Sequence, residues 1–173
     1  DCVEALSRTT ALVAGPGLAG GDVEDSLRQT VLNLWNESSK PMVVDASALD
    51  WLPKGPPDSE AFRLLTPHPG EAARLLGCSP EKVESGRVRA ARTLAEQFGA
   101  TVLLKGRHSV LAQSTGPALV NSTGNAGLAK GGSGDVLAGF VGGLLAQTVF
   151  HGREIQAAMY ATWKHGWAAD QLA

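Results

Sequence analysis

The residues best equipped for chemistry lie between 121 and 145. They read Asn-Ser-Thr-Gly-Asn-Ala-Gly-Leu-Ala-Lys-Gly-Gly-Ser-Gly-Asp, then Val-Leu-Ala-Gly-Phe-Val-Gly-Gly-Leu-Leu. Five glycines fall between Gly124 and Gly134. Side chains are therefore scarce where the backbone must turn and can approach a ligand. Val136, Leu137, Phe140, Val141, Leu144 and Leu145 then recur at helical spacing and predict a core-facing helix. Bare amides feeding a helix N-terminus make an anion site, because unpaired N–H groups and the helix dipole both favour negative charge. Phosphate is the anion to expect. Asp135, directly after Gly131-Gly132-Ser133-Gly134, has two readings. As an N-cap it adds about 1 kcal/mol to the helix. Beside a phosphate cradle it is a base for a hydroxyl attacking phosphorus, with the amides stabilising the charge that develops. The stretch lacks G-x-x-x-x-G-K-[ST], and it does not follow an early strand as a dinucleotide fingerprint does.

The run Asn121-x-Thr123-Gly124-Asn125-x-Gly127-x-Ala129-x-Gly131-Gly132-x-Gly134-Asp135 resembles the signature of the ADP/ATP-dependent NAD(P)H-hydrate dehydratases, repair lyases of ribokinase-like fold. The family usually carries proline where Ser122 and Ala126 stand, methionine for Leu128 and threonine for Ser133, swaps that keep size or polarity roughly intact. The resemblance implies a three-layer α/β fold with a mostly parallel central sheet. It sets residues 1–173 as a single domain against the middle and later portion of a longer family domain, with an N-terminal part absent.

The elements that must position this loop alternate between strand and helix. Residues 11–15, Ala-Leu-Val-Ala-Gly, read as a buried strand running into Gly15-Pro16-Gly17-Leu18. By itself this is a strand-to-helix turn or a ligand-facing one; the family's similar Gly-Pro-Gly-Leu implies substrate contact at Gly15 and Gly17. Asp22 is placed as the cap of a helix with an apolar stripe of Val23, Leu27, Val31, Leu34 and Trp35. Met42–Ala46 is a second strand ending in Asp45, which either satisfies loop amides or contacts magnesium, phosphate-bound water or substrate. Phe62–Thr66 is a third strand, followed by Pro67-His68-Pro69-Gly70-Glu71 and a helix over Ala72–Leu76. His68 sits between two prolines in a stiff turn, and its likeness to the family's Thr-Pro-His-x-Gly-Glu implies contact with the hydrated dinucleotide. Glu71 suits the first turn of a helix.

Ser79-Pro80-Glu81 has the form of cap, N1 proline and first-turn acid. Val88, Ala91, Leu94, Ala95 and Phe98 predict a helix closed by Gly99, with Arg87, Arg89 and Arg92 on its wet face. Thr101–Lys105 is a strand leading through Gly106, Arg107, His108 and Ser109 to another at Val110–Ala112, and residues 117–120 form a short edge strand. A Lys-Gly after a buried strand suits the phosphates or adenosine of a nucleotide, although an exposed hairpin gives the same pattern; the family resemblance implies that 105–109, with Gly134, hold the nucleotide. In the last helix Ile155, Met159, Trp163 and Trp167 recur every four residues and predict packing against the sheet. His165-Gly166 echoes the family's late His-Gly helix and reads as structural.

Composition sets the outer bounds. Apolar content of 43% and charged content of 18% describe an ordinary globular chain, and a net charge of −2 excludes a general nucleic-acid surface. Two cysteines and four scattered histidines lack metal-ligand spacing, so no dedicated metal cage is expected. No apolar run approaches membrane length, so a cytoplasmic protein without a membrane partner is expected, and a truncated sheet edge predicts a homo-oligomer.

Taken together, the resemblance implies nucleotide-dependent dehydration of hydrated NADH or NADPH. A phosphoryl group passes from ADP or ATP to the ring hydroxyl and leaves as phosphate. Asp135 is expected as the base, and the amides of Gly131, Gly132, Ser133 and Gly134 as the anion hole. Gly15, Gly17, His68, Asn121, Asn125 and Asp135 would hold the hydrate, and Mg2+ would accompany the phosphates. Two rivals are a small-molecule kinase of the same fold acting on a vitamin precursor, and a non-catalytic nucleotide-binding module.

Overall fold

The computed structural model describes residues 6–18 and 23–172. Six strands form one sheet in sequential order: β1 (Leu12–Ala14), β2 (Met42–Val44), β3 (Arg63–Leu65), β4 (Thr101–Leu104), β5 (Val110–Ala112) and β6 (Leu119–Val120). The first four run parallel, with Leu12 opposite Met42, Met42 opposite Arg63 and Leu64 opposite Thr101. The last two are antiparallel, with Val102 opposite Ala112 and Val110 opposite Val120. The parallel strands are short and those at the centre are buried throughout, as strands covered on both faces must be.

One face carries α1 (Asp25–Glu37), α2 (Pro69–Leu76), α3 (Pro80–Glu84) and α4 (Arg87–Phe98). Val31, Trp35, Leu94 and Phe98 pack there against Met42, Val44, Leu65 and Val102. The other face carries α5 (Ser133–Leu145) and α6 (Glu154–Asp170), whose Leu137, Val141, Leu145, Ala157 and Ala161 cover Val43, Leu64, Leu103 and Leu111. Alternate residues along each strand thus serve opposite layers. Close approach of α5 to β1 depends on Gly142, where a Cβ would stand 2.3 Å from Val13 Cγ2.

Several expectations need correction. Asp22 lies outside the described residues; α1 begins at Asp25, its N-cap is Glu24, and the Glu24 side chain caps no backbone N–H of the first turn. Within the expected stripes Leu27, Val88 and Val136 are exposed. Helix α6 shows why. Residues four apart precess about 40° around a helix, so three such steps turn about 120°. The series Ile155, Met159, Trp163, Trp167 therefore starts beside the core and winds off it, and Trp163 and Trp167 are exposed and stack on each other at 6.3 Å. Ala157, Ala158, Ala161, Thr162 and Gly166 form the buried face instead. Arg87 is not on the wet face of α4. Its guanidinium is largely covered and donates to the carbonyls of Leu104 at 3.0 Å and Lys105 at 2.9 Å.

Among the described residues no helix is long and apolar enough to cross a membrane.

Candidate functional site

Parallel strands end on the same side of a sheet, and here those ends carry the polar residues. Hydrogen bonding continues one residue past each strand. Asp45 N–H donates to Ala14 O at 2.9 Å, Thr66 N–H to Val44 O at 3.0 Å, and Lys105 N–H to Pro67 O at 2.8 Å. Asp45, Thr66 and Lys105 are thereby held in register at the carboxyl edge, where open α/β sheets bind ligands. Gly15 makes this edge possible, because at φ +125° a Cβ would fall 1.7 Å from Asp45 O.

Over that edge opens a cavity of about 830 Å³, in the upper part of the range for small-molecule sites. It brings together Asp45, His68, Lys105, Gly106, Arg107, Ser109, Asn121, Asn125, Ser133, Gly134 and Asp135. Gly15, Gly17, His108, Gly131 and Gly132 lie outside its lining.

Its floor is an ion pair. Lys105 Nζ meets Asp45 Oδ1 at 2.5 Å, with Asp45 buried and Lys105 nearly so. Asp45 Oδ2 is buried with no hydrogen-bond partner. The loop-amide reading of Asp45 is thus replaced by pairing with the lysine. Gly134 lies directly above, where a Cβ would come 3.0 Å from Lys105 Nζ and 3.7 Å from Asp45 Oδ2. Arg87 fixes the segment from behind through its two carbonyl bonds, and Gly106 at φ +132° lets the chain turn over that guanidinium.

The start of α5 forms one wall. Its N-cap is Gly132 in the left-handed conformation, so Asp135 is the third helical residue and not the cap, and its side chain is exposed at the cavity. Ser133 N–H donates to Lys130 O at 3.2 Å. The Ser133 amide, expected in the anion hole, is thus engaged by a carbonyl of its own loop. The N–H groups of Gly134 and Asp135 have no carbonyl one turn back within the helix and stay available. The Ser133 hydroxyl stands 3.1 Å from His165 Nε2. Burial lowers the His165 pKa below the ordinary imidazole value. His165 also lines the cavity, so its expected purely structural role is incomplete. Repetition along α6 gave no sign of it, because only folding brings residue 165 to residue 133.

The loop before α5 is held by its own polar side chains. Asn121 Nδ2 donates to Thr123 O at 3.1 Å, and the single hydrogen of Thr123 Oγ1 is shared between Asn121 Oδ1 at 3.0 Å and Trp163 O at 2.9 Å. Asn125 Oδ1 accepts from Gly127 N–H at 2.8 Å, while its Nδ2 donates to Ala169 O at 2.9 Å. Gly166 lets Thr123 approach α6, since a Cβ there would stand 2.4 Å from Thr123 Oγ1. The two asparagines therefore shape the wall with most of their polar groups already engaged.

Opposite stands His68, the N-cap of α2, which begins at Pro69 rather than at Ala72. His68 Nδ1 accepts from Gly70 N–H at 3.0 Å and Glu71 N–H at 3.3 Å, while Glu71 Oε2 accepts from His68 N–H at 2.7 Å. This is a capping box built on histidine. With Nδ1 accepting, a neutral His68 carries its proton on Nε2, which lies 3.4 Å from Glu71 Oε1 on a half-exposed ring at the cavity edge.

A magnesium ion accompanying phosphates needs only one or two protein carboxylates. The exposed carboxylate of Asp135 and the unpartnered oxygen of Asp45 suit that requirement.

The family model for NAD(P)H-hydrate dehydratase matches residues 1–173. The chain is 42% identical over 170 residues to the bifunctional NAD(P)H-hydrate repair enzyme of Escherichia coli (strain K12), covering 98% of this chain and 32% of that protein. It is 42% identical over 180 residues to the ADP-dependent (S)-NAD(P)H-hydrate dehydratase of Neisseria meningitidis serogroup B, covering 99% and 59%. A solved ADP/ATP-dependent NAD(P)H-hydrate dehydratase from Bacillus subtilis, co-crystallized with ATP/Mg2+, superposes with a TM-score of 0.77 at 35% identity, over 91% of this chain and 55% of that one. The chain thus spans between about a third and three fifths of the length of these relatives. The expected ribokinase-like α/β fold is present. With a family match running from end to end, the chain belongs to the NAD(P)H-hydrate dehydratase family.

Proposed function

We propose that this chain catalyses the nucleotide-dependent dehydration of hydrated NADH or NADPH. The observation that carries the reading is the placement of Asp135. Its exposed carboxylate opens into the cavity at the first turn of α5, beside two free amides and next to Gly134, which lies above the Asp45–Lys105 pair. Phosphoryl transfer asks for that combination of a base, an anion cradle and fixed positive charge.

In this reading the terminal phosphoryl group of ADP or ATP lies over the N–H groups of Gly134 and Asp135, with Lys105 beneath. Gly106, Arg107 and Ser109 border the rest of the nucleotide. The hydrated nicotinamide lies towards His68, whose Nε2–H donates to it. Asp135 takes the proton from the ring hydroxyl as that oxygen bonds to phosphorus and the bond to the nucleotide breaks. The ring C–O bond then breaks, phosphate departs with its electron pair, and loss of a ring proton restores the double bond of the reduced cofactor. Magnesium, held by the phosphates with Asp135 and Asp45 in reach, would neutralise charge on the phosphate oxygens. Asn121 and Asn125 serve the hydrate by keeping the wall in shape. Gly15 and Gly17 contribute by positioning Asp45.

The test is recovery of reduced-nicotinamide absorbance from chemically hydrated NADH supplied with ADP or ATP and magnesium. Nucleotide-dependent recovery is expected, with Asp135→Asn slower by about 10²- to 10⁴-fold and equally stable. Full activity in that variant removes Asp135 as the base. An inactive wild-type chain that still binds nucleotide removes the dehydratase reading for this chain.

A further inference from the structure

We propose that His165 is a positioning residue for the phosphoryl group, acting through the Ser133 hydroxyl. The proposal deepens the reading above and rests on it. Three observations converge. The Ser133 amide is tied to Lys130 O, so the hydroxyl is what this residue offers the cavity. That hydroxyl lies 3.1 Å from His165 Nε2, and both residues line the cavity that holds Gly134 and Asp135. The imidazole is firmly placed, because α6 is buried along Ala157, Ala158 and Ala161, and the adjacent Gly166 is packed against Thr123.

The direction of the Ser133–His165 hydrogen bond decides what an anion meets. A neutral imidazole carries one proton, and burial favours the neutral form here. With that proton on Nδ1, the serine donates its own hydrogen to Nε2 and presents only lone pairs to a phosphate, which repel it. With the proton on Nε2, the imidazole donates to Ser133 Oγ. The serine hydrogen is then free to turn to a phosphoryl oxygen beside the N–H groups of Gly134 and Asp135. His165 in the Nε2–H form thus adds a third donor to the anion site without touching the anion. An alanine at 133 would preserve the helix start and lose this donor. A residue at 165 that cannot donate would leave the serine hydrogen without a preferred direction.

The experiment has two readouts. First, ¹⁵N spectra of the His165 ring are recorded in the chain with ADP and magnesium bound. Protonation at Nε2 is expected, and a ring protonated at Nδ1 overturns the proposal. Second, Ser133→Ala, His165→Ala, the double variant and His165→Gln are assayed with hydrated NADH. Each single alanine variant should lower kcat about tenfold with nucleotide KM changed less than about twofold. The double variant should be no slower than either single one, because both act through one hydrogen bond. His165→Gln, whose side-chain amide can donate near the same place, should recover most of kcat. Independent, additive losses, or a Ser133→Ala enzyme at wild-type kcat, overturn the proposal. If the wild-type chain turns over no hydrate, the dehydratase reading falls, and the ring spectrum still decides the direction of the hydrogen bond.

Discussion

Two covered cations stand at opposite ends of the sheet, and they are treated differently. Arg63 opens β3, is almost wholly buried, and hydrogen-bonds to backbone carbonyls alone. Its guanidinium donates to Trp35 O at 2.7 Å, Ser38 O at 2.6 Å, Lys40 O at 2.9 Å and Ala61 O at 3.2 Å, and it sits 5.8 Å from the Trp35 ring. Two of those carbonyls, of Trp35 and Ser38, close the C-terminal end of α1, the negative end of its dipole. Burial lowers the Arg63 pKa from its ordinary value, yet a guanidinium stays charged at any physiological pH. Lys105 follows β4 at the other end. It has one carboxylate partner, and that partner keeps a buried oxygen without a hydrogen bond. A cation whose donors are all met is part of the scaffold. A pair left short of partners beside a cavity is ready to accept a ligand, because the ligand satisfies groups that folding left unmet.

Arg63→Met should lower stability by about 3–5 kcal/mol, because several carbonyls lose their donor in a buried setting. A urea titration measures this, and a loss under about 1 kcal/mol would contradict the scaffold role. Next in size is Lys105→Met, which leaves Asp45 without its cation next to a solvent-connected cavity. About 2 kcal/mol should be lost, together with the thermal shift given by ADP. Adding Asp45→Asn to that variant should return stability to within about 1 kcal/mol of wild type and leave the nucleotide response absent. A double variant that stays as unstable as the single one would show that the pair holds the fold and not the ligand.

The smallest effect concerns His165. Its folded pKa is lowered, so below about pH 6.5 the unfolded chain takes up a proton that the folded chain resists. Stability is fully present above that pH and falls as pH drops through the unfolded value towards the folded one. His165→Gln should flatten that part of the urea-midpoint profile relative to wild type, and an unchanged profile would mean that the imidazole titrates freely.

The strand and helix order was legible because each parallel strand is a short apolar run between polar turns and most helices carry apolar periodicity. Asp135, Gly134 and Lys105 could be named for the same reason, since glycine density and strand-end position are local properties. Faces were less legible. Four-residue spacing in α6 pointed at its tryptophans, whereas the helix buries alanines that allow close packing on the sheet.

What the sequence determined by itself, then, is local: where the chain turns, in what order strands and helices follow, and which loop is bare enough to receive an anion. Backbone preference and apolar spacing act over a few residues and can be read in order. The tertiary structure alone decided that Asp45 meets Lys105 across 60 positions and Ser133 meets His165 across 32. It alone turned Arg87 inward to hold Lys105. Those pairings depend on strand order and on which face each helix covers. Hydrogen bonds and ion pairs form between groups within about 3–4 Å, whatever their separation along the chain.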